Sequence, residues 1–271
     1  MNGKMTRGRK ELFYSEFCRL HETLPHMDDT AIRRGPSEGE LFRKILGADW
    51  QKLHADIRTR FARNPEVGEP LYYTGTMSEL SCSRFGKLLG FLTMPLIKGA
   101  LIPFDDADFP VDIQVYSKPN CAHIFKQRIY RLHDRPPIQF TSYMRESEKG
   151  EVLEYVGMGL GMRLVLRVEG GDLYFTSDGY FWDVFGVRIP IPGLFTPGKT
   201  FLCHRNDNAA QFNIQIEIRH ALFGTTFRQV GVFWEAPSRE VLLKDPVVPA
   251  LRRAQDEPGR CPGRYPIFVT C

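Results

Sequence analysis

From residue 109 onward the chain is a succession of short segments that alternate apolar and polar residues, and nearly all the connections between them are hairpin-short. The segments are Val111–Tyr116, His123–Arg131, Ile138–Glu146, Glu151–Val156, Arg163–Val168, Leu173–Ser177, Val187–Ile191, Thr200–His204, Gln211–Arg219 and Thr225–Glu235. Parallel strands need long, usually helical crossovers, and no helical pattern of about 10–15 residues separates these segments. The sheet must therefore be antiparallel. Gly170-Gly171 and Ser147–Gly150 supply the turn chemistry that hairpins demand. An earlier alternation, Tyr72, Thr74, Thr76 and Ser78 against Tyr73, Gly75 and Met77, starts at about Leu71. The expected fold class is α+β: N-terminal helices followed by a large antiparallel, strongly curved β-sheet or partial β-barrel.

The helices are read from spacing. Phe13, Phe17, Leu20 and Leu24 line one face of a helix over about residues 10–24. Pro25–Pro36 is a polar linker, after which Ser37 and Glu40 form a capping-box signature ahead of Leu41, Phe42 and Ile45. Asp49 can start another helix bearing Trp50, Leu53, Ile57 and Phe61 up to about Arg63. The apolar run Phe85–Pro103 contains Lys87, Pro95 and Lys98, so it reads as a buried or lid-like helix ahead of an interfacial one, and not as a span. Beyond residue 235 the prolines at 237, 246, 249, 258, 262 and 266 forbid a long helix, which ranks a helix-grip lipid-binding fold second. The chain divides into a tail with a short helix (1–36), one α+β domain (37–235) and a proline-rich tail (236–271).

Charge and cysteines narrow the function. The chain has 36 Lys plus Arg against 32 Asp plus Glu, and Lys4, Arg7, Arg9 and Lys10 account for the whole excess. The rest is balanced, which argues against nucleic acid as a partner and leaves the basic start as a solvated tail or a peripheral contact with an anionic membrane surface. The cysteines at 18, 82, 121, 203, 261 and 271 follow neither metal-site nor disulfide spacing, so a reducing, cytoplasmic location is expected, with no metal and no cofactor. Residues 10–24 are charged and amphipathic where a secretory signal would be apolar, and Cys271 is in the wrong place for prenylation.

Alternation also sorts faces. Phe212, Ile214, Ile216 and Ile218 share one face of their segment, with Asn213, Gln215 and Glu217 opposite. Ile124, Lys126, Arg128 and Tyr130 share another, a mixture typical of a pocket wall or of an outer strand whose long stems cover aromatics. Tyr143 and Arg145 share a face on the next segment, and with Arg128 they would form an anion site if the register brought them together. His123, His204 and His220 lie in or beside strands, but no zinc, nucleophile-elbow or dinucleotide motif is present. Gly157–Gly161 reads as a bend or bulge. Tyr180, Phe181, Trp182, Val184 and Phe185 either pack a core or line an apolar cavity.

Three segments in order, GLGMRLVLRVEGGDLYFTS (159–177), VRIPIPGL (187–194) and RHALFGTTFRQVGVF (219–233), resemble the bacterial domain of unknown function 4166 family, found alone and fused to NAD(P)-binding reductase-like domains. The resemblance covers about residues 41–235. It departs at Lys126 and at Ala221, where relatives favour Trp and Pro. It implies a domain, singles out Arg128 and His220 for testing, and suggests an NAD(P)-dependent reductase as partner. The expected function is a cytoplasmic β-rich domain holding a small apolar or lipid-like ligand, with Arg128, Tyr143, Arg145, His220 and Trp182 as candidate contacts and Phe85–Pro103 as a lid. The alternatives are a cyclase- or isomerase-like enzyme using His220 or Glu217 beside such a reductase, and a module whose helical preface binds a partner.

Overall fold

The computed structural model describes residues 37–237, apart from 96, 98, 119, 120, 122 and 209. The expected helix over residues 10–24, the basic start and the proline-rich segment past residue 237 lie outside the described residues.

Helix α1 (Glu38–Leu46) opens as its sequence requires. The Ser37 hydroxyl accepts the Glu40 amide at 3.1 Å and the Glu40 carboxylate accepts the Ser37 amide at 2.8 Å, satisfying two helix-end donors reciprocally. The single helix expected over 49–63 is split: a 3₁₀ turn spans Gly47–Lys52, and α2 begins only at Ala55, running to Ala62. The break falls where the His54 amide donates to the Gly171 carbonyl at 3.0 Å, a tertiary bond that takes the group out of the helical ladder.

The strands are β1 (Leu71–Cys82), β2 (Phe109–Ser117), β3 (Ile124–Tyr130), β4 (Ile138–Glu146), β5 (Val152–Gly157), β6 (Leu160–Glu169), β7 (Asp172–Val184), β8 (Val187–Ile191), β9 (Lys199–Asn208), β10 (Gln211–His220) and β11 (Gly224–Ala236). All pair antiparallel, in the order β6-β5-β4-β3-β2-β1-β11-β10-β9-β7-β8, and β6 also pairs with β7. That last pairing closes ten strands into a barrel and leaves β8 as an extra strand. Closure depends on the length of β7. Its first half, Leu173–Thr176, pairs with β9, whereas Tyr180–Val184 on the same edge pairs with β8.

Three hairpins use two-residue turns with both φ angles positive, Met158-Gly159 (52° and 76°), Gly170-Gly171 (61° and 89°) and Phe185-Gly186 (51° and 82°), the geometry that matches strand twist. The Gly157–Gly161 bend is thus a tight turn between β5 and β6. Curvature also needs room: a Cβ on Gly75 would stand 2.1 Å from the Val232 carbonyl oxygen, where β1 crosses β11 closely.

The barrel has two unlike ends. At one, α1, the 3₁₀ turn and α2 press Leu41, Phe42, Trp50, Leu53 and Ile57 onto Met144, Val152, Leu164, Leu173 and Phe175. A buried ion pair at 2.8 Å, Glu38 to Lys126, fastens α1 to the barrel wall. At the other end, where β1 gives way to β2, lies α3 (Arg84–Thr93) followed by turns and irregular chain to Phe109. The helix expected over Phe85–Pro103 covers only that first half, and no helix of the described residues is long and apolar enough to cross a membrane.

Candidate functional site

Between the two ends the barrel encloses a cavity of about 200 Å³. Its walls follow from strand alternation. Ile216 and Ile218 of β10, Phe140 and Met144 of β4, and Leu164 of β6 point inward, while Leu89, Thr93, Ile97 and Leu101 close the α3 end. The inward face expected for Gln211–Arg219 is the one observed, since Phe212 and Ile218 are buried and Glu217 is on the outside in an ion pair with Arg219 at 2.6 Å.

A few polar groups interrupt this apolar lining. Arg128 points inward from β3, donating to the Ser142 hydroxyl at 3.1 Å with its guanidinium 5.4 Å from the Phe140 ring centre. Glu154, 7% exposed, faces the cavity from β5 and makes no ion pair with any described residue. Tyr130 reaches Gln229 by a hydrogen bond, and Tyr180 shares one with Thr200 at 2.6 Å. Burial pushes both phenols up, Tyr180 to about 12 with Glu154 adding in the same direction, so both stay neutral. An apolar chamber with a few fixed polar groups is the usual construction of a small-molecule site.

The residues singled out from the sequence part company here. Arg128 lines the cavity. Tyr143 and Arg145 do not, because Phe125 stands opposite Tyr143 and Phe140 opposite Arg128, which puts the two residues on opposite faces of the wall. On the outside Tyr143 stacks between His123 at 4.8 Å and Tyr155 at 5.1 Å, and Phe181 meets the edge of Tyr155 at 5.3 Å. Phe181 can lie there because Gly161 is opposite it in β6: a Cβ would come within 2.7 Å of its ring. Arg145 donates to the Tyr155 hydroxyl at 2.6 Å, which in turn donates to Asp183 at 2.8 Å, and burial together with that carboxylate raises Tyr155 to about 12. This is an outer aromatic clasp across β3, β4, β5 and β7.

His220 is buried outside the cavity lining. Its Nδ1 accepts the Leu222 amide at 3.1 Å, and its ring packs 5.1 Å from Phe85 of α3 and 4.8 Å from Phe223. It therefore locks α3 to the β10–β11 turn, and neither it nor Glu217 reaches the chamber. Trp182 stands half-exposed at the α3 end, its indole donating to the Met158 carbonyl at 2.9 Å. Tyr130 and Tyr180 were placed by the sequence on a mixed strand face and in an aromatic run that could line a cavity, whereas Glu154 and Gln229 were not singled out. The signal for Glu154 was a carboxylate between Val152 and Val156 on one face of a strand.

A family model described as Domain of unknown function (DUF4166) matches residues 53–233, well over half of the chain and every residue that lines the cavity. No curated protein and no solved structure matches. The order of motifs that resembled this family on sequence, ending in the His220-to-Phe233 hairpin that anchors α3, falls inside the matched region, and the chain belongs to the DUF4166 family.

Proposed function

We propose that the barrel is a binding domain for a small apolar or lipid-like molecule carrying one polar group, held in the chamber with that group between Arg128 and Glu154. The observation that carries this reading is the chamber: about 200 Å³ of largely apolar space inside a closed barrel, with a guanidinium and a carboxylate facing it. An apolar hole of about 150 Å³ already takes up benzene, so the volume suits a single ring system or a short acyl segment. A ligand bound only to the folded state raises stability by mass action, by about 2.7 kcal/mol at a hundredfold excess over Kd. A panel of fatty acids, aromatic alcohols and terpenoid alcohols should therefore contain compounds that raise the melting temperature, with Arg128→Met cancelling the effect of carboxylates and Glu154→Gln that of alcohols. If no compound shifts the wild-type transition, the binding reading fails.

Glu154 also favours a second reading, an enzyme in which this carboxylate moves a proton on the bound molecule, as a cyclase or isomerase would require. The two differ in one measurement. An enzyme converts a bound panel compound and loses that conversion in Glu154→Gln, whereas a carrier returns it unchanged.

A further inference from the structure

We infer that the α3 end of the barrel is a docking face for the surface of an anionic phospholipid bilayer. The face is assembled from three segments that meet at one residue. The Thr226 carbonyl accepts the Ser83 amide at the start of α3 at 2.9 Å, and the Thr226 hydroxyl donates to the Pro197 carbonyl, between β8 and β9, at 2.6 Å. The β10–β11 turn joins them through Phe223, which stacks on Phe85 of α3 at 4.0 Å.

Around this junction and along the adjoining β7–β8 hairpin, apolar side chains project into solvent: Leu88, Phe91 and Leu92 of α3, Phe185 at the tip of the hairpin, Phe195 after β8, and Leu222. Leu89 on the inner side of α3 and Phe195 both line the cavity, so this apolar surface surrounds its mouth. Large contiguous apolar surface on one end of a domain marks an interaction site. Phe185 is 88% exposed and sits at φ 51°, a backbone region where a bulky side chain is unfavourable, so neither packing nor turn chemistry accounts for it.

Charge selects the occupant. Residues 84–103, 185–200 and 219–226 contain no Asp or Glu, and Arg84 and Arg188 stand among the exposed apolar groups without an ion pair to any described residue. Aromatic and aliphatic groups flanked by two cations that make no ion pair with a described residue match an interface rich in anionic headgroups. The acids of this end are engaged within the fold: Asp105 pairs with Lys87 and Asp106 with His133, and Asp183, which stands opposite Arg188 in the β7–β8 hairpin, is held by the Gly186 amide, the Tyr155 hydroxyl and Arg145. The barrel is thus expected to dock with α3 and the β7–β8 hairpin leading. The inference rests on this surface and stands whether or not the chamber holds a ligand.

The test is co-sedimentation of the full chain with vesicles of phosphatidylcholine alone and of phosphatidylcholine mixed with phosphatidylglycerol, with quenching of Trp182 by lipids spin-labelled in the acyl chain. Binding is expected to the mixed vesicles, with quenching that disappears in Trp182→Phe. Arg84→Gln combined with Arg188→Gln should weaken binding more than about tenfold, since each interfacial cation contributes about 1 kcal/mol. Phe185→Asn combined with Phe195→Ser should abolish quenching, and Leu92→Gln, an exposed site with no packing to lose, provides an independent variant. Absence of binding to both vesicles, binding that none of these changes weakens, or a dimer in light scattering that Phe185→Asn dissolves would each overturn the inference. The dimer would assign the face to a second copy of the chain.

Discussion

Phe185 occupies a position where its backbone works against it. Both residues of its turn need positive φ, which Gly186 supplies without penalty and a phenylalanine does not. Phe185→Asn should therefore stabilise the fold by about 1 kcal/mol, a rise of roughly 2–4 °C in melting temperature for a domain of this size, measured by scanning calorimetry. No rise would mean that the ring contributes packing which its exposure conceals. His204 is constrained in the opposite manner. It is buried between Phe61 and Phe212, its Nε2 accepts Arg60 at 2.8 Å, and burial, with Arg60 and Lys126 nearby, holds it well below the ordinary value of 6.5. A histidine displaced downward contributes stability that is whole above its unfolded pKa and declines as pH falls, because the unfolded chain takes up the proton first. Urea midpoints at about pH 7.5 and about pH 5.5 should thus fall further apart in the wild type than in His204→Gln. His123 is displaced in the same direction and exposed His133 in the other, so the difference between the two proteins is the diagnostic quantity.

At the scale of elements, α3 is the helix that covers one end of the chamber, lining it with Leu89 and Thr93. It lies so close to β11 that a Cβ on Gly86 would stand 2.2 Å from the Thr226 carbonyl oxygen. Gly86→Ala should lift the helix, cost about 1–3 kcal/mol of stability, and expose residues 84–103 to proteolysis before the strands. Simultaneous cleavage of helix and barrel would show that α3 is not a separable cover. Much of this level was legible in the sequence. The capping box of α1, the inward face of β10 and the mixed face of β3 all appear as read, because each depends on neighbours within a few residues. The helix over 49–63 was not, since the Gly171 carbonyl that captures the His54 amide is more than a hundred residues away. Nor was the full extent of β7, whose Asp178-Gly179 irregularity reverses the alternation and turns Tyr180 inward and Phe181 outward. Grouping Arg128 with Tyr143 and Arg145 failed for the same reason: composition places each on a face, but only register says which faces coincide.

For the whole molecule, closure is what converts ten strands into a chamber. A curved open sheet would leave Arg128 and Glu154 on an open face, whereas the β6–β7 pairing turns both into a largely apolar chamber, where a charge acts on a neighbouring polar group more strongly than it would in water. Closure itself was not readable, because it requires one strand to share an edge between β8 and β9. The chamber can be filled without disturbing charge. Ile216→Phe adds volume on its wall, and it should exclude ligand while leaving the barrel folded, at a strain of about 1–3 kcal/mol. The most direct test of the account is native mass spectrometry of freshly purified wild type and Ile216→Phe, with extracted small molecules identified. A small apolar species on the wild type that is missing from the filled variant is the predicted result. An unliganded wild-type mass that stays unliganded after incubation with the compound panel, or a species equally retained by Ile216→Phe, would contradict the claim that this barrel is built to hold a ligand in its interior.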